Sequence, residues 1–119
     1  MRGGLYAVVV WAALAGAVAA GGFVTGLDAV PLMDGLTEDA SAALVFDTPD
    51  GRIVEARATG PVRRAAVRTF YAAALPQLGW RRRSDLLYLR EGERLTITLV
   101  GGDGDLAVVF ALRPDAPSP

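Results

Sequence analysis

The sequence contains no cysteine, no histidine and no lysine, and all twelve of its basic residues are arginine. Without cysteine, the chain has no disulfide, no thiolate metal site, no cysteine nucleophile and no attachment point for a lipoprotein anchor. Without histidine, it lacks the side chain that most often serves as a general base and as a transition-metal ligand. Without lysine, Schiff-base chemistry is excluded as well. The composition therefore predicts a protein that is not an enzyme and binds no cofactor and no metal.

The overall charge is close to balanced, with 13 acidic residues against 12 arginines and a formal net charge of -1. Binding along a nucleic acid requires a concentrated positive surface that releases counterions from the phosphates. We therefore expect no nucleic-acid partner, and any basic surface has to be local.

The N-terminal segment is apolar, with no charged residue between Arg2 and Asp28. A helix that is apolar on every side is typical of a segment that engages the membrane or the export machinery. Two interpretations remain open. Residues 1–20 are a signal peptide cleaved at the small residues Ala17–Ala19, or residues 5–27 are an uncleaved membrane anchor, long enough to cross about 30 Å of hydrocarbon. Both predict a periplasmic or exported domain, since the arginine stays on the cytoplasmic side.

Residues 28–41, which we call the strap, combine turn formers and acidic residues with a small apolar cluster that includes Leu32 and Met33. This composition predicts an extended linker rather than a regular helix or strand. One interpretation has the strap pack against the edge of the following domain. The alternative is that it docks a partner protein.

Residues 42–113 predict a small α+β domain, an antiparallel sheet of about five strands with one helix packed on one face, in the order β-β-α-β-β-β. The segments RIVEARATG, RLTITLV and LAVVFALRP alternate apolar and polar residues, as strands do when one face meets a core and the other meets water. The segments ALVFDT and RIVEARATG flank the turn PDG and predict a hairpin. Arg81, Arg82 and Arg83 mark the start of the strand after the helix or the turn that leads to it. Residues 114–119 are rich in proline and predict a disordered tail.

The helix of this domain carries apolar residues at spacings of three and four between Val67 and Leu78, and we expect it to begin at Pro61. The stretch LPQLGW predicts its end. Gly79 is placed for the left-handed residue of a Schellman motif, and Trp80 for the hydrophobic contact back to Leu75.

The stretch GGDGD predicts a hairpin loop between the last two strands. Calcium requires six to eight oxygen ligands at defined spacings, so Asp103 and Asp105 are too few for a calcium site. We expect this loop to be flexible, so that Gly101→Ala destabilises the domain much less than Gly79→Val, which should cost at least about 1 kcal/mol.

Two noncatalytic functions remain from the sequence. The first is a protein-interaction or structural module of the bacterial cell envelope, which docks an envelope protein through an exposed sheet edge, residues 30–36 of the strap, or the surface that carries Trp80. The alternative is a periplasmic binder of a small anion or ligand through an arginine cluster, because guanidinium groups suit carboxylate and phosphate. The candidate interaction residues are Leu32, Met33, Trp80, Arg81, Arg82 and Arg83, and the anion-binding alternative adds Arg63 and Arg64. The oligomeric state is not predicted.

The motifs PLMDGL, VFDTPDGRIVEARATG and FYAAALPQLGW follow one another along the chain. In this order the sequence resembles secreted proteins of alphaproteobacteria in which a signal segment, a PLM-x-GL strap, a hairpin and a helix ending in FY-x-x-x-LPQLGW succeed each other. The resemblance covers about residues 28–113. It implies export and the α+β fold, and it adds no site residue.

Overall fold

The computed structural model describes residues 22–115, so the signal peptide expected at 1–20, most of the alternative anchor and the end of the tail lie outside the described residues. The described part is an antiparallel sheet of seven strands with one α-helix. The elements are β1 (Thr37–Glu38), a 3-10 turn (Ala40–Ala42), β2 (Leu44–Thr48), β3 (Gly51–Gly60), α1 (Arg64–Gln77), β4 (Arg81–Ser84), β5 (Leu87–Arg90), β6 (Glu93–Gly102) and β7 (Asp105–Pro114).

The strands are ordered β1-β3-β7-β6-β5-β4 across the sheet, and β2 also pairs with β3. Since β7 occupies one side of β3, both β1 and β2 lie along its other side. The sheet therefore has two edges, one formed by β1 and β2 and the other by β4.

The predicted α+β class is confirmed, but the expected count of about five strands is wrong, because β1 was not predicted and the arginines of β4 were assigned to the start of the next strand or to its turn. Strand β1 has only two residues, too few for any alternation. Strand β4 has the sequence RRRS and is exposed along its whole length, so no apolar pattern marks it. Both form by backbone pairing with a longer neighbour, β1 with β3 and β4 with β5.

The core lies between one face of the sheet and the helix, on the faces that the alternation predicted. The core residues of the three long strands are Val54, Ala56, Ala58, Leu95, Ile97, Leu106, Val108, Phe110 and Leu112. The helix covers them with Val67, Tyr71 and Leu75, all fully buried. Burial of a side chain such as Leu75 contributes roughly 1.5–3 kcal/mol to stability.

The helix begins at Arg64, three residues later than the expected start at Pro61. Strand β3 continues to Gly60, which still pairs with Leu106 of β7, so the chain needs the following residues to turn from the sheet into the helix. The residue before the helix, Arg63, makes no side-chain capping bond.

The end of the helix has the predicted Schellman geometry. Gly79 has a φ of 94°, in the region that favours glycine. The Trp80 amide donates to the Leu75 carbonyl at 3.1 Å, and the Gly79 amide donates to the Pro76 carbonyl at 3.2 Å. Trp80 and Leu75 both belong to the buried core, as the motif requires.

The segment from Gly22 to Leu36 folds as part of the domain. Val24, Leu27, Val30 and Leu36 are buried in the core. An anchor that leaves this packing intact has to end before Gly22. No helix within residues 22–115 has the length and apolar character to cross a bilayer.

The GGDGD loop has defined partners at the start of α1. The Asp103 carboxylate accepts the Arg64 amide at 2.8 Å, and the Gly104 amide donates to the Val62 carbonyl at 3.0 Å. Gly101 has a φ of 99°, and a Cβ there would lie 2.6 Å from the Asp105 carbonyl oxygen. A small effect of Gly101→Ala is therefore not expected from the structure, because a side chain strains this backbone conformation and its Cβ would force the Asp105 carbonyl to shift.

The last strand extends one residue into the expected tail. Pro114 pairs with Glu93, and the Asp115 amide donates to the Gly92 carbonyl at 2.7 Å. Residues 116–119 lie outside the described part of the chain.

Candidate interaction surfaces

Trp80, one of the candidate interaction residues, is buried and holds the start of the strap against the end of the helix. Its side chain is 3% exposed, and its indole N–H donates to the Ala29 carbonyl at 2.9 Å. The Arg90 guanidinium lies over the ring, 5.2 Å from its centre. Both the N–H group and the ring of the indole therefore have partners inside the domain.

Leu32 and Met33, the two candidates on the strap, are half-buried and pack against the core. The adjacent backbone is held by Tyr71, whose hydroxyl donates to the Pro31 carbonyl at 2.8 Å and accepts the Met33 amide at 3.3 Å. Burial raises the pKa of Tyr71, an effect that the Met33 amide partly offsets. Through these contacts the strap completes the core of the domain.

Arg81, Arg82 and Arg83 are exposed and form the outer edge of the sheet on strand β4. The pairing of β4 with β5 shifts register between Arg82 and Ser84. Asp85 lies 3.6 Å from the Arg82 guanidinium and also accepts from Arg68 at 2.9 Å. One carboxylate therefore offsets part of the positive charge at this edge.

The two groups of arginines proposed for anion binding lie at opposite ends of the helix. Arg63 and Arg64 precede α1, and Arg81 to Arg83 follow it. A helix of 14 residues is roughly 21 Å long at 1.5 Å per residue. The Arg64 guanidinium is also engaged, since it donates to the Gly101 carbonyl at 2.7 Å. The arginines do not converge on one site.

The opposite edge of the sheet carries a surface that we call the open edge, formed by Leu44, Val45 and Phe46 of β2. These side chains are 53%, 54% and 51% exposed. Strand β2 pairs with β3 along one side, and within residues 22–115 no strand pairs with its other side. Alternate residues of β2 therefore present unpaired backbone groups next to three exposed apolar side chains.

The two edges of the sheet differ in the features that protect an edge from pairing. Charged side chains and bulges prevent the addition of another strand. Strand β4 has three arginines and a register shift, whereas β2 has regular pairing through five residues and a single charge, Asp47. The sheet is protected at β4 and open at β2.

The strand of the open edge was predicted, and an exposed sheet edge was one of the expected docking surfaces, but the sequence did not indicate that β2 is that edge. Its sequence signal is the apolar run LVF, which differs from the alternation in the next strand, RIVEARATG. A continuous apolar run is typical of a strand that is covered on both faces. Here the run lies at an edge, where Leu44 and Phe46 share the sheet face away from the helix and Val45 lies on the other.

Two concave regions accompany these surfaces. An apolar groove of about 510 Å³ lies between α1 and the N-terminal segment, lined by Phe23, Phe70 and Leu78 among others. A polar depression of about 450 Å³ is lined by residues that include Arg52 and Glu93, which form an ion pair at 3.1 Å. Among residues 22–115, no group of three or more acidic side chains is arranged to hold a metal ion.

Comparison of the chain with protein-family models, with curated protein sequences and with solved structures finds no match. A function is therefore inferred from the geometry of the chain itself. Its most distinctive feature is the contrast between the open edge at β2 and the protected edge at β4.

Proposed function

We propose that this protein is an exported, noncatalytic interaction or structural module of the bacterial cell envelope, and that it binds an envelope protein by adding a strand to the open edge. The observation that carries the proposal is the exposure of Leu44, Val45 and Phe46 on an edge strand that has a free side among the described residues. In strand addition, backbone hydrogen bonds supply affinity and alternate side chains supply specificity.

Export is supported by the uncharged N-terminal sequence after Arg2 and by the resemblance to secreted proteins. The folded domain starts close behind that segment, since Val24 is already buried. We propose that the domain lies outside the cytoplasm, either released by cleavage or held at the membrane by an anchor that ends before Gly22. A domain without cysteine folds there independently of the oxidising environment.

A noncatalytic role is supported by the chemistry of the described residues. Burial raises the pKa of both Tyr71 and Tyr88, so each keeps its proton near neutral pH and neither can act as a base there. Of the ion pairs among residues 22–115, those of Asp85 and Glu55 lie at the surface, and the pair of Arg52 with Glu93 is only partly buried. Surface pairs of this kind are screened by water and gain little reactivity.

Binding of a small anion by the arginines is the less favoured function, because Arg64 and Arg82 already have partners and lie at opposite ends of α1. The dependence of binding on salt concentration distinguishes the two functions. Strand addition through apolar side chains depends weakly on ionic strength, whereas arginine-driven binding weakens steeply as salt rises.

The test uses the tagged full-length chain expressed in its native host, in which complexes of the envelope are trapped with a chemical crosslinker. Two variants form a matched pair, because Val45→Lys and Val100→Lys introduce the same change at side chains that are 54% and 50% exposed. Val45 lies in the open edge, and Val100 lies in β6, away from it. We expect crosslinked complexes with the wild type and Val100→Lys, and a loss of at least about fivefold with Val45→Lys.

Fractionation of the same cells tests export. The proposal predicts that the chain is found in the periplasm or the membrane, and intact mass distinguishes a processed species from a full-length one. A cytoplasmic location would contradict the proposed export. Complexes that survive Val45→Lys as well as they survive Val100→Lys would contradict the proposed use of the open edge.

A further inference from the structure

We propose that the apolar groove between α1 and the N-terminal segment lies on the surface of the bilayer and holds the domain against the membrane. The inference goes beyond the binding of an envelope protein, because no residue of the open edge lines the groove. It rests on the proposed export and requires the form of the chain that keeps its anchor. Two observations carry it, the place where the chain enters the domain and the charges around α1.

The groove presents an uncharged stripe of the helix. Among residues 22–115, every side chain that lines it is uncharged, and its volume is about 510 Å³. The helical side is formed by the pairs 69–70, 73–74 and 77–78, which recur every four residues and therefore share one side of α1. Phe23 lies on the other side of the groove and is 45% exposed. Such a surface is typical of a contact with an apolar partner.

The chain enters the domain at a fixed point on the rim of this groove. The Gly22 carbonyl accepts the Leu32 amide at 3.0 Å, and Phe23 forms an antiparallel bridge with Pro31. The next residue, Val24, is already buried in the core. The backbone of Phe23 is therefore held in place directly behind residue 21, where the apolar N-terminal sequence ends.

The length of that sequence leaves no room for a linker. Residues 3–21 are 19 uncharged residues. As a helix they span about 28 Å at 1.5 Å per residue, slightly less than the roughly 30 Å of hydrocarbon in a bilayer. An anchor that crosses the bilayer and ends before Gly22 therefore ends at the membrane surface. Phe23 and the groove must then lie at that surface as well.

The charges around α1 favour an anionic lipid surface as the occupant. Residues 56–84 include seven arginines and no acidic residue. Asp85 pairs with Arg68 and Arg82, and Asp103 accepts an amide at the start of α1. The ends of α1 are roughly 21 Å apart, too far for one small anion but suited to many separate headgroups. The exposed arginines before and after α1 that make no ion pair among residues 22–115 are Arg63, Arg81 and Arg83.

The experiment measures the depth of the groove in vesicles that contain the full-length chain. Because the sequence has no cysteine, a single introduced cysteine carries an environment-sensitive fluorophore. Ala73→Cys places the fluorophore in the groove, at an exposed position of α1. The control is Thr98→Cys, an exposed position of β6 next to the buried Ile97 and therefore on the sheet face away from the helix. The vesicles contain phosphatidylcholine and about one quarter phosphatidylglycerol, with a nitroxide near the headgroup as the quencher.

We expect the lipid nitroxide to quench the fluorophore at residue 73 at least about threefold more than at residue 98, because a docked apolar surface reaches about 5–10 Å into the headgroup boundary. Iodide in the aqueous phase should give the opposite order. In vesicles of phosphatidylcholine alone, lipid quenching at residue 73 should decrease, because the arginines lose their anionic headgroups. Equal quenching in both kinds of vesicle would overturn the role assigned to the arginines.

A matched pair of variants separates docking from the proximity of the anchor. Phe23→Asp and Phe46→Asp introduce the same charge at side chains that are 45% and 51% exposed, the first in the groove and the second in the open edge. Phe23→Asp should reduce lipid quenching at residue 73 at least about twofold. Phe46→Asp should leave this quenching unchanged. Gln77→Glu, an exposed position on the helical side of the groove, repeats the test without altering the N-terminal segment.

Equal lipid quenching at residues 73 and 98 would overturn the proposal, as would quenching that neither Phe23→Asp nor Gln77→Glu reduces. A fluorophore at residue 73 that is shielded from iodide but not quenched by the lipid would overturn it too, and would show that protein covers the groove. A processed chain found only in the soluble periplasmic fraction would also overturn it, because the anchor is then removed. None of these results bears on the open edge, which Val45→Lys tests separately.

Discussion

The indole N–H of Trp80 donates to the carbonyl of Ala29, 51 residues earlier in the chain, at 2.9 Å and within the core. This bond joins the residue that follows the helix terminator to the segment that precedes the sheet. Tyr71 makes the corresponding connection to Pro31 from the middle of the helix. The strap is therefore held against the helix by hydrogen bonds from two buried aromatic side chains.

Replacement of Trp80 by phenylalanine should destabilise the domain by about 1–3 kcal/mol, because it leaves the buried Ala29 carbonyl without its donor. Denaturant unfolding of the purified protein measures the change. Phe70→Leu serves as the control, since it shortens another side chain packed against the core without removing a hydrogen bond. A cost for Trp80→Phe no larger than that for the control would contradict the assigned role of the bond.

Two glycines of the β6–β7 loop should respond differently to alanine. Gly101 and Gly104 have φ values of 99° and 87°, but a Cβ at Gly101 meets the Asp105 carbonyl at 2.6 Å, whereas a Cβ at Gly104 has nothing within 4 Å. Gly104→Ala should cost about 1 kcal/mol from backbone strain alone. Gly101→Ala should cost at least about 1 kcal/mol more, because the collision adds to the strain. Urea unfolding of the two variants measures the difference. Equal urea midpoints for Gly101→Ala and Gly104→Ala would contradict the prediction, because they would show that the loop shifts to avoid the Asp105 carbonyl.

The two aspartates of the same loop form a second matched pair. The Asp103 carboxylate accepts the first amide of α1 at 2.8 Å, while Asp105 is exposed at the start of β7. Asp103→Ala should cost about 0.5–2 kcal/mol, the usual effect of losing a helix cap. Asp105→Ala should remain within about 0.5 kcal/mol of the wild type. Thermal unfolding of both variants tests whether the loop caps the helix.

Tyr71 should make stability depend on alkaline pH. Burial raises its pKa in the folded protein, whereas the unfolded chain releases the proton near pH 10. Above that pH the unfolded state therefore holds fewer protons, and the stability present below pH 10 is lost at up to about 1.4 kcal/mol per pH unit. Tyr71→Phe should be less stable than the wild type at pH 8 by about 1 kcal/mol.

The difference between the wild type and Tyr71→Phe should shrink or reverse by about pH 11, because the variant has no proton to lose at this position. Tyr88 titrates in both proteins, so its contribution cancels. Urea unfolding at the two pH values gives the comparison. A constant difference across this range would indicate that the Tyr71 hydroxyl is not shielded from water.

The elements that followed from the sequence are those where one physical pattern dominates. Alternation identified the core faces of β3, β6 and β7, and the terminator was predicted from Gly79 and Trp80 because their roles are local. The helix start was displaced, since Gly60 remains paired in the sheet. That pairing is a long-range contact, and no local sequence pattern indicates it.

For the candidate surfaces too, the sequence indicated the local features and not those that depend on long-range contacts. The sequence predicted that Trp80 packs over the helix end, which the structure confirms, but it did not indicate that the indole N–H bonds to Ala29, because that carbonyl is distant in the chain. It marked LVF as a strand but not as the edge, because strand order in a sheet is set by long-range pairing. The arginine run was interpreted as the start of a strand or the turn before it, because without apolar alternation nothing indicated that β4 is a separate strand paired with β5.

We propose that the open edge at β2 contacts a partner and that the protected edge at β4 does not. Site-specific photocrosslinking in the native envelope tests it most directly, with a photoreactive amino acid at Phe46 in β2 and, as controls, at Arg82 in β4 and Val100 in β6. All three side chains are about half exposed. The account predicts defined adducts from Phe46 and few or none from the controls. Adducts of equal yield from all three positions, or a majority from Arg82, would contradict it.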